Sequence, residues 1–227
     1  VTIDEEIVSL YAMQTIDTGF GSIILGLRFE DTDFSTVGWQ LDAEGEEIPL
    51  SLTKSYSNWL PSAHLNYDLN EDTKLRASIT TAVSRPGYNE ARASAGINPV
   101  NQSVAGGNPY LDPEESWGLD LAYEWYFGEA SIFAVSAFYR EVDNVIVAGS
   151  TTVDGSVYSP AAQPGEQWTL SGSANGKNGE LTGIEFNFID RLDHYMTGPL
   201  SGFGVELNLA AIDSSFTAPD GNEYSLP

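Results

Sequence analysis

Residues able to do acid–base, nucleophilic or metal chemistry are few in this 227-residue chain, and their spacing matches no known catalytic set. The chain has two histidines, His64 and His194, and no cysteine. His64 falls on the polar side of an alternating stretch and His194 in a turn, positions that suit solvation better than ligation. There is no HExxH-type pair, and no serine lies in a nucleophile elbow. The glycine-rich "GSANGKNG" (Gly172–Gly179) lacks phosphate-loop spacing and any following helix, so it reads as a turn or bulge. Carboxylates are abundant: Asp42, Glu44, Glu46 and Glu47 crowd one predicted loop, with Asp31 and Asp33 on the strand before it. Oxygen ligands suit Ca²⁺, but no EF-hand-like spacing appears, and mutual repulsion that favours solubility accounts for the cluster. The sequence therefore predicts no enzyme, no metal site and no cofactor.

A binding surface is the better expectation. "SNWLPSAHLNYDLNEDTKLRASITTAV" (Ser57–Val83) alternates residue by residue. Trp59, Pro61, Ala63, Leu65, Tyr67 and Leu69 share one face, and Asn58, His64 and Asn66 the other, with Leu60 the exception. After "NED", Leu75, Ala77, Ile79, Thr81 and Val83 oppose Lys74, Arg76, Ser78 and Thr80. Successive side chains of a strand point to opposite faces, so these are two-faced strands. The same register places Asp120, Glu124, Glu185, Asn187, Glu206 and Asn208 with the polar set. Arg or Lys facing hydrocarbon at mid-membrane costs about 2–4 kcal/mol, which assigns Lys74 and Arg76 to an inward, lumenal face. A second candidate group is assigned to the outer loops and the strand ends that border them: Trp39, Arg85, Tyr88, Asn89, Arg92, Tyr110 and Trp168. Aromatic planes and guanidinium forks suit sugars and anionic chelates.

Composition narrows the partners. With 33 acidic against 9 basic side chains, the formal charge is −24. Nucleic acid demands a basic footprint and is excluded as a partner. Docking on anionic headgroups by charge alone is disfavoured too. No apolar run approaches the ~20 residues of a membrane helix, but barrel strands need only ~10 alternating residues. The first residues, "VTIDEEIVSLYAMQTID", contain no secretory leader pattern. The absence of cysteine removes disulfides and thiolate metal sites.

Eight strands are predicted, at about 5–17, 22–40, 57–70, 73–85, 115–127, 130–147, 167–190 and 202–213, the seventh divisible at "NGKNG". Pro61 predicts an edge, bulge or strand end, because proline gives no N–H to a ladder. The connections "TGFG", "NED" and "GE" are short and "RLDHYMTGP" is moderate. Those at 41–56, 86–114 and 148–166 are long, and 214–227 runs off as a loop. Short and long alternate, so antiparallel strands collect the tight turns at one end and the long loops at the other. Aromatics gather near the tight turns, as in a headgroup-level girdle. The fold class is all-β: an antiparallel, up-and-down transmembrane β-barrel segment. Two rivals are a complete small eight-stranded structural or adhesive barrel, and a soluble all-β carbohydrate-binding domain.

The sequence also resembles TonB-dependent outer-membrane receptors. The similarity lies in "GLRFEDTD" (Gly26–Asp33), the strand pair "YSNWLPSAHLNYDLNEDTKLRASITTAVSRPGY", the stretch "GGNPYLDPEESWGLDLAYEWYF", and "SAFYREVDNVI" and "GKNGELTGIEFNF". These cover nearly the whole chain in the family's order. The resemblance implies about eight strands of a 22-stranded barrel in a Gram-negative outer membrane. It further implies contact with outer-membrane lipid and with the rest of the receptor, its plug and remaining strands. The function it implies is import of a small-molecule solute of siderophore, cobalamin or oligosaccharide type, with energy from a TonB complex acting through the plug. Neither plug nor TonB-box segment nor aromatic-ended terminal strand is found, so residues 1–227 are expected to be a middle-to-late portion of the barrel. Eight strands cannot close with the curvature of 22, and their free edges would recruit other strands or amphiphile.

Overall fold

In a computed structural model, which describes residues 1–41, 46–159, 162–200 and 202–225, eight long strands form one antiparallel wall. They are β1 (Thr2–Thr18), β2 (Gly21–Leu41), β3 (Glu47–Asn70), β4 (Thr73–Ser84), β7 (Glu114–Gly128), β8 (Ser131–Asp143), β11 (Gly179–Arg191) and β12 (Gly204–Thr217). Each pairs with the next in that order. The remaining strands, β5 (Ala95–Asn98), β6 (Ser103–Gly106), β9 (Ile146–Asp154), β10 (Gln167–Asn175) and β13 (Glu223–Tyr224), lie in the long connections. Among the described residues the one α-helix is α1 (Tyr88–Ala91).

Directly opposed residues share a face, so the register can be followed across the wall. One row runs Ile16, Ile23, Leu65, Ala77, Leu121, Ala137, Ile184, Ala211, apolar on all eight strands. Many side chains of this face, such as Leu121, Ile184 and Leu209, are exposed, and no second layer among the described residues covers them. A hollow of about 600 Å³ on it is lined by Leu65, Leu75, Ala77, Leu121, Tyr123 and Val135. Aromatic contacts bound this band at both ends. Near the tight turns Phe20 meets Tyr67 at 5.0 Å, and Phe133 meets Phe186 at 5.2 Å. Toward the long connections Phe29 meets Trp59 at 4.8 Å, and Trp117 meets Tyr139 at 5.4 Å. From Trp59 to Tyr67, and again from Trp117 to Trp125, is eight residue steps, about 27 Å along a strand.

Beyond the second aromatic row the polarity of the two faces inverts. On β2 and β3 the formerly apolar side now carries Asp31, Asp33, Ser35, Ser55 and Ser57. The other side carries Thr32, Phe34, Thr36, Leu50 and Leu52. Phe34, Thr36 and Leu50 are buried there, beneath the connection that follows β4. The same change occurs where Glu141, Glu180 and Asp213 appear on the outer side.

Several sequence expectations are corrected. The connection predicted over 41–56 is mostly ladder, since β2 reaches Leu41 and β3 begins at Glu47. Its Asp42 and Glu44 lie outside the described residues. The seventh strand divides at Gly176, within the expected "NGKNG" break, and the unexpected part is that β10 leaves the wall while β11 stays in it. The sixth ends at Asp143, and Val147 belongs to β9. The expected tail loop continues β12 to Thr217 and adds β13.

Candidate functional site

The polar face of the wall is a hydrogen-bonded lattice. Lys74 pairs with Asp68 at 2.5 Å. Arg76 bridges Glu124 at 2.9 Å and Asn66 at 2.6 Å. Arg140 forks onto both oxygens of Asp120, at 2.8 and 3.0 Å, while Ser78 donates to the same carboxylate. Arg140 lies flat over Gly118, where any Cβ would overlap its guanidinium. By register Asn58, His64, Asn66, Lys74, Arg76, Asp120, Glu124, Glu185, Asn187, Glu206 and Asn208 all belong to this one face. Charge is balanced from β3 to β8. On β11 and β12, Glu185 has only Ser136 Oγ at 3.4 Å.

At the end away from the tight turns, the long connections fold into a cap. Strands β5, β6, β10 and β9 pair in that order, with β10 parallel to β6, and one pair, Gln40↔Ala95, joins them to β2. Val104, Tyr158, Ala162, Trp168 and Leu170 form the core of the cap. Asparagines staple the cap segments to one another, and Thr36 and Lys54 tie the cap to the wall. Asn175 Nδ2 donates to the carbonyls of Asp112 and Asn144, at 2.9 and 2.8 Å, and its Oδ1 accepts from Asp112 N–H at 2.8 Å. Asn108 donates to the Ser173 carbonyl at 3.1 Å. Thr36 Oγ1 accepts from Ala93 N–H at 3.0 Å, where Gly38 leaves room for the Ala93 carbonyl. Lys54 ties Asp112 and the Leu111 carbonyl to β3.

Arg85 is the hinge between wall and cap. Its Nη2 donates to Glu30 Oε2 at 2.5 Å and to Thr32 Oγ1 at 2.9 Å, and Glu5 lies at 3.9 Å. Arg28 holds the other Glu30 oxygen at 2.5 Å. Within the cap, the Ser156 hydroxyl and two backbone N–H groups hold Asp154 below the usual carboxylate range. The Gln163 N–H and then the Trp168 indole do the same for Glu166. Burial pushes the Tyr158 hydroxyl far up, and this hydroxyl has no hydrogen-bond partner among the described residues.

The seven expected ligand residues separate into four groups. Tyr88, Asn89, Arg92 and Tyr110 stand exposed on the cap side of the wall. Trp39 is not in a loop but near the end of β2, exposed on the outer side. Arg85 is committed to the Glu30 knot. Trp168 is 2 % exposed inside the cap core and donates to Glu166 at 3.1 Å, because Trp168, Leu170 and Ala174 form the covered face of β10. Seven of the nine cations take part in ion pairs. Among the described residues Arg92 and Lys177 do not, and Arg92 alone adjoins Tyr88 and Asn89. No group of three or more metal-ligating side chains occurs among the described residues.

The profile described as TonB dependent receptor-like, beta-barrel, matches residues 2–227. The chain belongs to the TonB-dependent receptor family. Solved structures agree on the fold. The FrpB iron transporter of Neisseria meningitidis (F3-3 variant) superposes with a TM-score of 0.61 at 15% identity, over 99% of this chain and 28% of that one. The copper transporter OprC gives 0.66 at 16%, over 97% and 31%. The Serratia marcescens receptor HasR, in complex with its hemophore HasA and heme, gives 0.55 at 14%, over 95% and 42%. The chain thus spans less than half the length of these receptors. Curated protein sequences give no match. In TonB-dependent receptor terms, the wall is barrel and the cap is built from connections gathered at one end of it.

Proposed function

We propose that this chain is a wall segment of a Gram-negative outer-membrane receptor that binds a solute outside the cell and imports it with TonB-coupled energy. The inversion of face polarity at the second aromatic row carries this reading. Below that row the apolar side suits hydrocarbon; above it the same side suits water, while a cap of connections closes on the polar side. The barrel supplies conduit and cap; a plug and further strands of the receptor supply closure and the contact with TonB. The polar lattice of Lys74, Arg76, Asp120, Glu124 and Arg140 then lines the lumen, with Asn58, His64, Asn66, Glu185, Asn187, Glu206 and Asn208 around it.

The solute is of siderophore, cobalamin or oligosaccharide type, and Tyr88, Asn89, Arg92 and Tyr110 are its contacts on the cap, with Arg92 the cation available to an anionic chelate. Iron, copper and heme-linked transport by the structural relatives supports a metal complex foremost. The test is growth of a deletion strain on single iron, copper, cobalamin or oligosaccharide sources. It is complemented by the intact gene and by a Tyr88→Ala/Arg92→Ala form. Restored growth on one source with the intact gene, lost with the double variant at equal surface expression, is the expected result. Equal growth of all strains on every source refutes import.

A further inference from the structure

Pro61 marks the place where the wall stops being continuous. The β3–β4 ladder runs from Asn70↔Thr73 to Ser62↔Thr80 and ends there, next to a residue with no N–H to donate. Both strands continue. β3 stays paired with β2 as far as Leu41↔Glu47, and β4 stays paired with β7 as far as Ser84↔Glu114. Between them the Thr81 hydroxyl donates to the Pro61 carbonyl at 2.9 Å. Above that bond lies a slot of about 270 Å³, lined among others by Asn58, Trp59, Ala82, Glu115, Trp117 and Asp143.

Two observations show that the slot is an opening in the sheet with an unmet binding capacity. By register, Asn58 belongs to the polar face and Glu115 to the opposite one. Yet Asn58 Nδ2 donates to Glu115 Oε1 at 2.7 Å. Side chains from opposite faces meet in this way only where no ladder separates them. Asn58 is 7 % exposed, and its Oδ1 has no partner among the described residues. The carboxylate fixes the amide orientation, so a flip cannot relieve the unmet acceptor.

The lining contains no lysine or arginine, which disfavours phosphate. It offers acceptors, namely Asn58 Oδ1 and the Glu115 and Asp143 carboxylates, between the indoles of Trp59 and Trp117. Acceptors flanked by aromatic planes suit a hydroxyl-bearing ring. The volume admits one ring rather than an oligomer. The slot opens beside the second aromatic row, with the apolar band directly below it. We propose that it is a lateral site for the sugar head of an amphiphile. The hydroxyls of the head donate to Asn58 and the two carboxylates, and its tail lies along the apolar face.

The test uses the whole receptor purified in amine-oxide micelles and titrated with dodecyl maltoside, with a dodecyl sulfobetaine of equal tail length, and with maltose. Tryptophan fluorescence reports binding at Trp59 and Trp117. The expected result is a saturable change with dodecyl maltoside, none with the sulfobetaine, and a weaker response to maltose that competes for the same site. Affinity falls about tenfold in Asn58→Leu and vanishes in Ala82→Trp, which fills the slot. Asp143→Asn, on the exposed rim, carries the comparison if Asn58→Leu does not fold. Equal responses to both amphiphiles, no saturable response, or undiminished affinity in Ala82→Trp would overturn the site. Equal affinity for maltose alone would overturn its assignment to an amphiphile.

Discussion

Ala210 and Ala211 are consecutive, equally small and both exposed on β12, but they lie on opposite faces. Ala211 continues the apolar row through Leu121 and Ile184, four steps from each aromatic boundary on β7, hence at mid-band. Ala210 faces Glu185 on the polar side. Arginine at the middle of a lipid-facing band costs about 2–4 kcal/mol and near the interface about 0–1. At Ala210 it acquires an exposed carboxylate partner worth about 0–1 kcal/mol. Ala211→Arg and Ala210→Arg should therefore differ by at least about 2 kcal/mol, a factor of about 30 in the unfolding constant. Reversible denaturant unfolding of the whole receptor from lipid vesicles measures this directly. Arginine at position 213, level with the boundary, should recover most of the loss. If Ala210→Arg proves as costly as Ala211→Arg, or the cost does not decline toward position 213, the apolar face is not against hydrocarbon.

Asn175→Ala removes three hydrogen bonds between β10 and the other cap segments. It should lower local stability by about 1–3 kcal/mol, seen as faster amide exchange at Asp112 and Gly176 with the wall unchanged. Tyr158→Phe deletes a buried hydroxyl that has no partner and should raise cap stability by about 1 kcal/mol, whereas a loss would mean that a bound water satisfies it. Gly38→Ala should push the Ala93 carbonyl off β2 and expose residues 86–114 to protease, while Gly96→Ala, whose Cβ would meet only the Ala105 carbonyl at an ordinary 3.8 Å, should not. Asp154 and Glu166 are held below their ordinary values of 3.8 and 4.5. Their stabilisation is thus complete above about pH 4.5 and is lost as pH falls through the lowered values. Trp168 fluorescence should report cap loosening only in that acid range, and Asp154→Asn should flatten part of the transition.

The wall was legible because its two faces meet different media over eight residue steps, long enough for period-two alternation to stand out. The cap was not, for reasons visible in particular residues. β5 and β6 are four residues long, too short for a period to register, and the second partner of β6, β10, lies some 65 positions downstream. Trp168 reads as a ligand contact because it stands where a long connection enters a strand, and a tryptophan there suggests exposure. Its alternation with Leu170 and Ala174 was the available signal that it faces a core. The outer part of β3 was missed although Leu50, Leu52, Lys54 and Tyr56 alternate with Ser51, Thr53, Ser55 and Ser57. Neither set there is a continuous bulky apolar face, because this stretch lies beyond the second aromatic row.

Face inversion also explains why the chain can be strongly acidic and still present a hydrocarbon-compatible wall. On β1 and β2 the outer side carries Asp4, Glu6, Asp31 and Asp33 in adjacent registers, all beyond the Phe29–Trp59 contact, where water replaces hydrocarbon and a carboxylate costs nothing to expose. Within the band, the charges of β3, β4 and β7 lie on the polar face and are tied to partners across neighbouring strands. Moving β2 by one residue against β3 so that Glu30 falls beside Trp59 would place Arg28 beside Pro61, turning both charges toward the apolar face and stranding Arg85. The Arg85–Glu30–Arg28 knot and the second aromatic row therefore enforce the same register, one by charge pairing and the other by choice of medium. Glu30→Gln should accordingly loosen the attachment of the cap at Arg85 while leaving strand register intact, since the aromatic row still fixes it.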